Sequence, residues 1–317
     1  MNLIYEALSS VPPKFWWVLM GIVFFLTVAT VIGRCLAQNN NNEVMINLNQ
    51  RINAWWVMVA VLVACFIFGT TATLILYALL SFFALREFMT LTPTVRSDYW
   101  ALVFCFYVAI PVQYLLIGSD WYGLFVMFLP VYGFLLLPAI QALSGDTDGF
   151  FERIAKIQWG MMLTIYCLSY APALLLLGNV EHPGQGLMLL LYLVLVVQLS
   201  DVFQYVVGKL FGKHKIAPRV SPNKTVEGFI GGGLMAVALG TGLWWMTPFS
   251  MAHAALFSLL IVICGFFGGL SLSAVKRSLG AKDWGTMISG HGGIMDRIDS
   301  ILFAAPVFFH LVRYTYY

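Results

Sequence analysis

The chain has 317 residues, of which 61% are hydrophobic and only 10% are Asp, Glu, Lys or Arg, with a formal net charge of +3. Soluble domains carry roughly 25% charged residues. The composition therefore excludes a soluble globular protein and predicts an all-α, polytopic bundle of transmembrane helices. No polybasic tail, coiled-coil heptad or nucleic-acid motif is present. Membrane lipids are expected partners and nucleic acid is not.

A bilayer core about 30 Å thick needs about 20 apolar residues per helix. The first such run is 15–32. It is long for the apolar part of a signal peptide, and Arg34 stands where a small residue would precede cleavage, so a retained helix is predicted. Residues 38–53 are polar and Asn-rich, which fits either a short disordered linker or an interfacial helix. The run 54–90 is too long for one span. Gly69, Thr70 and Thr71 near its middle predict two helices joined by a tight turn. Runs at 99–117, 121–140, 154–177, 187–208, 228–247, 252–272 and 299–316 bring the count to about ten. Pro93, Gly118, Gly145, Pro183, Pro218 and Pro248 punctuate the gaps.

Orientation follows from charge. Fifteen of the 17 Lys and Arg residues fall in alternate loops, at 33–53, 86–98, 141–156, 208–227 and 273–298. Cytosolic loops are enriched in basic residues, so these loops are predicted to face the cytosol, with both termini on the other side. Trp16, Trp17, Trp55, Trp56, Trp100, Trp244 and Trp245 lie at predicted span ends and read as an aromatic belt. Cys35, Cys65, Cys105, Cys167 and Cys264 form no C-x-x-C pair and read as small buried hydrophobes.

Two stretches break the apolar pattern with chemistry. Residues 273–299 alternate Lys276, Arg277, Lys282 and Arg297 with Asp283, Asp296 and Asp299, and place His291, Gly292 and Gly293 between them. Basic side chains bind phosphate. Mg²⁺ is held by one or two carboxylates plus substrate phosphates. Asp296 and Asp299 are three apart and share a face on a helix. The plainer reading is a solvated cytosolic loop. Residues 200–232 repeat basic residues at Lys209, Lys213, Lys215, Arg219 and Lys224, and set Gly208 and Gly212 four apart, a spacing that lets helices approach. Here the plainer reading is a juxtamembrane patch attracted to anionic lipid. Asp201 lies inside an apolar run, where an ionisable group is costly and marks a functional site by default; a helix end near water is the alternative.

Weaker signals read as structural. His253 and His310 lack partners at ligand spacing and read as packing or interfacial residues. Arg86 and Glu87 read as a local ion pair at a helix end. Asp146, Asp148, Glu152 and Arg153 read as a solvated mixed loop. There is no Walker loop and no G-x-S-x-G, so hydrolase and ATPase readings lack support.

The pattern Ser-x-x-Lys-Arg-x4-Lys-Asp-x-Gly-x2-Ile-x2-His-Gly-Gly-x2-Asp-Arg-x-Asp at 273–299 resembles the signature of the phosphatidate cytidylyltransferases, and GKLFGKHKIAPRVSPNKTVEG resembles that family's second shared block. The resemblance spans roughly 51–317, with its specific motifs at 200–232 and 273–299. It departs at Asn223, where a second basic residue is usual, at Val226, where an aromatic is usual, and at Gln204, which replaces a small residue. These departures bear on the lipid acceptor.

The resemblance implies transfer of CMP from CTP to phosphatidate or a related lipid phosphate, giving CDP-diacylglycerol and pyrophosphate for phospholipid synthesis. It implies Mg²⁺ as cofactor and a multi-pass protein of the bacterial inner membrane with its site facing the cytosol. A homodimer is left open. Lys224, Lys276, Arg277, Lys282, His291 and Arg297 are expected in the chemistry. Lys213, Ser221, Thr225, Glu227, Gly292 and Gly293 are expected at the substrates, and Asp283, Asp296, Asp299 and Asp201 at the metal. The chain then divides into 1–53, an extra helix and polar linker; 54–198, N-terminal helices; and 199–317, the catalytic region. Two alternatives remain: a CTP-dependent enzyme for another lipid phosphate, and a non-catalytic transporter of the same fold.

Overall fold

A computed structural model describes residues 11–39, 43–177, 184–288 and 292–317. Among these residues the fold is ten helices and one small hairpin. The helices are α1 (Pro13–Asn39), α2 (Glu43–Ile67), α3 (Thr70–Leu91), α4 (Arg96–Gly118), α5 (Tyr122–Ala142), α6 (Phe150–Leu176), α7 (Gln185–Phe211), α8 (Gly228–Gly242), α9 (Met251–Ser278) and α10 (Met295–Tyr316). Eight are long and apolar enough to cross a membrane. The other two are α8, which is shorter, and α10, whose first turns carry Asp296, Arg297 and Asp299. The expected all-α membrane bundle is the observed fold.

The two-helix reading of 54–90 holds. Gly69 takes φ 92°, a backbone favoured by glycine, and turns the chain between α2 and α3. The polar stretch 38–53 is not a linker where described: α1 continues to Asn39 and α2 begins at Glu43. Asn49 explains part of this, because its amide donates to the Gly33 carbonyl on α1 at 3.3 Å and locks the pair of helices together.

Between α7 and α8 the chain forms an antiparallel hairpin, β1 (Lys215–Ala217) with β2 (Ser221–Thr225). Sequence pattern does not announce it, because the strands are short and β2 contains Pro222. Gly208 and Gly212 make room for the hairpin: a Cβ on either would strike the Thr225 side chain at 2.9 or 2.7 Å. Gly228 and Gly232 on α8 press directly on the Gln204 backbone of α7. Helix α10 closes on α9 in the same way, with Gly268 facing the Asp299 carbonyl.

The charged loops meet at one end of the bundle. Arg153, expected in a solvated loop, is instead buried: its Nε lies 3.0 Å from buried Asp98 and its Nη1 3.1 Å from Asp146. Asp98 also receives Gln141 at 2.6 Å, and Asp146 receives the Ser97 hydroxyl at 2.6 Å, which holds the Asp146 carboxyl below its ordinary range. The opposite end carries aromatic packing. His253 contacts the Tyr316 hydroxyl at 2.5 Å, His310 packs on the Tyr170 ring, and Arg313 stands 3.6 Å over Tyr122.

Candidate active site

The site forms where the last turns of α7 and α9, strand β2 and the first turns of α10 converge. Asp201 comes from α7, and Asp299 and Ser300 from α10. The Ser300 hydroxyl lies 2.9 Å from Asp201 Oδ2 and 3.3 Å from Asp299 Oδ1, and the Ser300 N–H donates to Asp299 Oδ1 at 2.7 Å. One hydroxyl has one proton. It ties together carboxylates from two helices and leaves Asp201 Oδ1 and Asp299 Oδ2 without a donor among the described residues.

Lys224 reaches this pair from β2. Its ammonium donates to the Phe266 carbonyl at 3.2 Å and sits 4.6 Å from the centre of the Phe266 ring. Burial pushes the ammonium's pKa below the ordinary lysine value, and the fields of Asp201 and Asp299 oppose that shift. Gly269 is the floor of the site: a Cβ there would lie 2.9 Å from Lys224 Nζ and 3.5 Å from Asp299 Oδ2. Arg297 lies within electrostatic reach of Asp201 and Asp299, and its buried Nε has no hydrogen-bond partner among the described residues. A buried donor without a partner calls for an explanation. The donor suits a phosphate oxygen, and the two carboxylates with open oxygens suit a hard divalent cation.

Asp296 belongs to a different arrangement. Its Oδ1 takes the Lys276 ammonium at 2.5 Å, and its Oδ2 accepts the N–H groups of Trp284 at 2.8 Å and Gly293 at 2.9 Å. Both ion-pair partners are buried. This pair fastens the end of α9 to the loop and to α10, and both carboxylate oxygens are occupied. Asp283 is exposed, beside Gly292. Among the described residues, no three His, Cys, Asp or Glu side chains converge as a metal cluster. The four expected metal carboxylates thus separate into the Asp201–Asp299 pair, a saturated Asp296 and a surface Asp283.

The remaining expected residues shape the surround. Arg277 donates to the carbonyls of Ala281 at 3.1 Å and Val220 at 3.4 Å, which holds the hairpin against α9. Lys282 and Lys213 are exposed, and Ser221 pairs with Ala217 in the hairpin register. Buried Thr225 accepts the Gly228 N–H at 3.1 Å. Glu227 accepts the N–H of Lys213 at 3.0 Å and the His214 ring at 2.6 Å. The His214 bond is the main reason its pKa falls to about 2. Thr225 and Glu227 therefore close the base of the hairpin, where it joins α7 and α8. Gly292 takes φ 84° and Gly293 binds Asp296. His291 lies outside the described residues.

Four contributors were not legible in the motifs: Ser300, Gly269, Trp284 and Glu87. Glu87 makes no ion pair with Arg86 among the described residues; it bonds the backbone of Ile294 and Met295, both at 2.9 Å. An acidic residue ending an apolar run was the available signal.

The model of the Cytidylyltransferase family matches residues 49–315. The chain is 40% identical over 294 residues to "Uncharacterized protein YnbB" of Escherichia coli (strain K12), covering 92% of this chain and 96% of that protein. It is 32% identical over 277 residues to a phosphatidate cytidylyltransferase of Bacillus subtilis (strain 168), covering 84% and 98%. It is also 34% identical over 194 residues to one of Staphylococcus aureus (strain COL), covering 58% and 74%.

Proposed function

Because the chain belongs to the cytidylyltransferase family, we propose that it transfers CMP from CTP to phosphatidate, releasing pyrophosphate and forming CDP-diacylglycerol. The observation that carries this reading is the meeting of Asp201, Asp299, Lys224 and Arg297 at one charged end of a membrane bundle. That end is where a water-soluble nucleotide and a lipid headgroup can share a site, and the positive-inside pattern supports a cytosolic position for it.

The residues suit the reaction. A phosphate oxygen of the lipid forms a new bond to the α-phosphorus of CTP, and the bond to the pyrophosphate oxygen breaks. The nucleophile is already anionic, so no general base is needed. What the reaction needs is two anions held in line and charge neutralised on the leaving group. Asp201 and Asp299 would hold Mg²⁺, which supplies charge stabilisation to phosphate oxygens. Lys224 offers a half-buried ammonium near them, with its position fixed by the Phe266 carbonyl. Arg297 offers a guanidinium nitrogen with no partner among the described residues. Lys276 is held in its ion pair and supports the loop. Ser300 keeps the two carboxylates at a set separation.

A second reading keeps the chemistry and changes the acceptor to another lipid phosphate. Gln204, a departure from the motif, lies half-buried one turn beyond Asp201 and donates to Ser200 at 2.7 Å. The test is pyrophosphate release by the purified protein with Mg²⁺, CTP and a panel of lipid phosphates. Release that requires phosphatidate and yields a CDP-lipid supports the first reading. Release with another acceptor alone supports the second. No release with any acceptor overturns both.

A further inference from the structure

We propose that Glu87, on α3, is a positioning residue for the charged groups of α10. This rests on the cytidylyltransferase reading for what those groups do. The clamp itself rests on geometry alone. Glu87 Oε1 accepts the Ile294 N–H and Oε2 the Met295 N–H, both at 2.9 Å, across 207 and 208 residues of chain. These are two of the N–H groups that a helix start leaves without an intrahelical partner. A carboxylate there also meets the positive end of the helix dipole.

Two glycines make room for the carboxylate. A Cβ on Gly285 would approach Glu87 Oε1 at 2.7 Å, and one on Gly293 would collide with Oε2. The neighbouring residue repeats the attachment. Phe88 stacks on buried Trp284 with ring centres 5.4 Å apart, and the Trp284 backbone N–H donates to Asp296 on α10. The end of α3 therefore grips the start of α10 twice, directly through Glu87 and indirectly through Phe88, Trp284 and Asp296.

The consequence lies one turn further on. Arg297 and Asp299 follow Met295 by two and four residues on the same helix. A helix is stiff over that length, so a shift of its first turn carries both groups with it. A misplacement of about 1 Å can cost roughly 100-fold in rate. The motifs at 200–232 and 273–299 do not include Glu87, although the second supplies its partners; the structure assigns to residues 54–198 a direct part in building the site.

The test compares Glu87→Ala and Glu87→Gln with the parent protein. Asp98→Asn, which disturbs the buried Arg153 network without touching α10, serves as a control for general loosening. The first readout is amide hydrogen exchange over 292–300. Glu87→Ala should exchange faster there, with Glu87→Gln between it and the parent. The second is turnover of CTP and phosphatidate. Here kcat should fall about 10- to 100-fold in Glu87→Ala, with KM for CTP changed less than threefold and partial recovery in Glu87→Gln. Unchanged exchange in Glu87→Ala overturns the clamp, whether or not the protein turns over CTP. Faster exchange with an unchanged kcat, or an equal kcat loss in Asp98→Asn, overturns the positioning role. A parent protein inactive on every acceptor refutes the proposed reaction, while exchange still decides the clamp.

Discussion

Asp201 on α7 faces the hydroxyl of Ser300 on α10 at 2.9 Å, 99 residues later in the chain. The same serine binds Asp299 through its backbone N–H at 2.7 Å. Two carboxylates are thereby brought together while each keeps an oxygen open. Removing either charge should remove most of the catalytic electrostatics: Asp201→Asn and Asp299→Asn should each lower turnover about 100- to 1,000-fold or more and remain folded. Ser300→Ala keeps both charges and loses only the tether. It should lower turnover about 10-fold and shift the Mg²⁺ dependence to higher concentration. Pyrophosphate release across a Mg²⁺ titration separates these cases. An unchanged Mg²⁺ dependence in all three variants would remove the pair from the metal.

Asp296 should behave differently. Its charge neutralises buried Lys276, and its second oxygen holds two backbone N–H groups. Breaking a buried pair strands the remaining charge and costs about 3–5 kcal/mol. Asp296→Asn should therefore lose stability together with activity, whereas Asp299→Asn should lose activity alone. Thermal unfolding in detergent tells them apart. A fully stable, inactive Asp296→Asn protein would instead place Asp296 in the chemistry.

This contrast shows how far the sequence could be read. Helix count, turn positions and the two charged motifs were legible because apolar length and charge placement are local properties. Asp299 and Asp296 looked equivalent, since three-residue spacing puts both on one helix face. Only the fold reveals that one meets Lys276 and the other meets Asp201 from a different helix. Arg153 looked solvated because its partner Asp98 lies 55 positions earlier. Glu87 was hidden for the same reason, as its partners are backbone N–H groups that no side-chain pattern records. The hairpin was hidden by its brevity: two strands of three and five residues carry too little periodicity to read.

Gly269 offers a test of shape rather than charge. A methyl group there would meet Lys224 Nζ at 2.9 Å and Asp299 Oδ2 at 3.5 Å. The lysine tip can move, so the protein should still fold. The displaced ammonium would lose its place near Asp299. Gly269→Ala should cut turnover about 10-fold or more with an unfolding temperature near the parent's. Gly242→Ala is a suitable comparison, because nothing lies within 4 Å of a Cβ at that position. Equal activity in the two variants would remove Lys224 from the reacting centre.

Lys224 also predicts a pH dependence. Burial lowers its pKa from the ordinary value of 10.5, so it gives up its proton at a lower pH than an exposed lysine. If the ammonium neutralises phosphate charge, turnover should hold steady below that folded pKa and fall as pH rises through it. Stability should run the other way. Between the folded and unfolded values the unfolded chain binds more protons, so stability rises with pH across that window. Loss of turnover alongside a rising unfolding temperature is therefore the signature of Lys224 titrating, and it separates titration from alkaline unfolding. Lys224→Arg stays charged throughout, though its planar fork replaces a point charge and should lower the maximum rate. Its alkaline limb should move to higher pH. An identical limb in the parent and Lys224→Arg proteins would assign the ionisation to another group and take Lys224 out of the transition state.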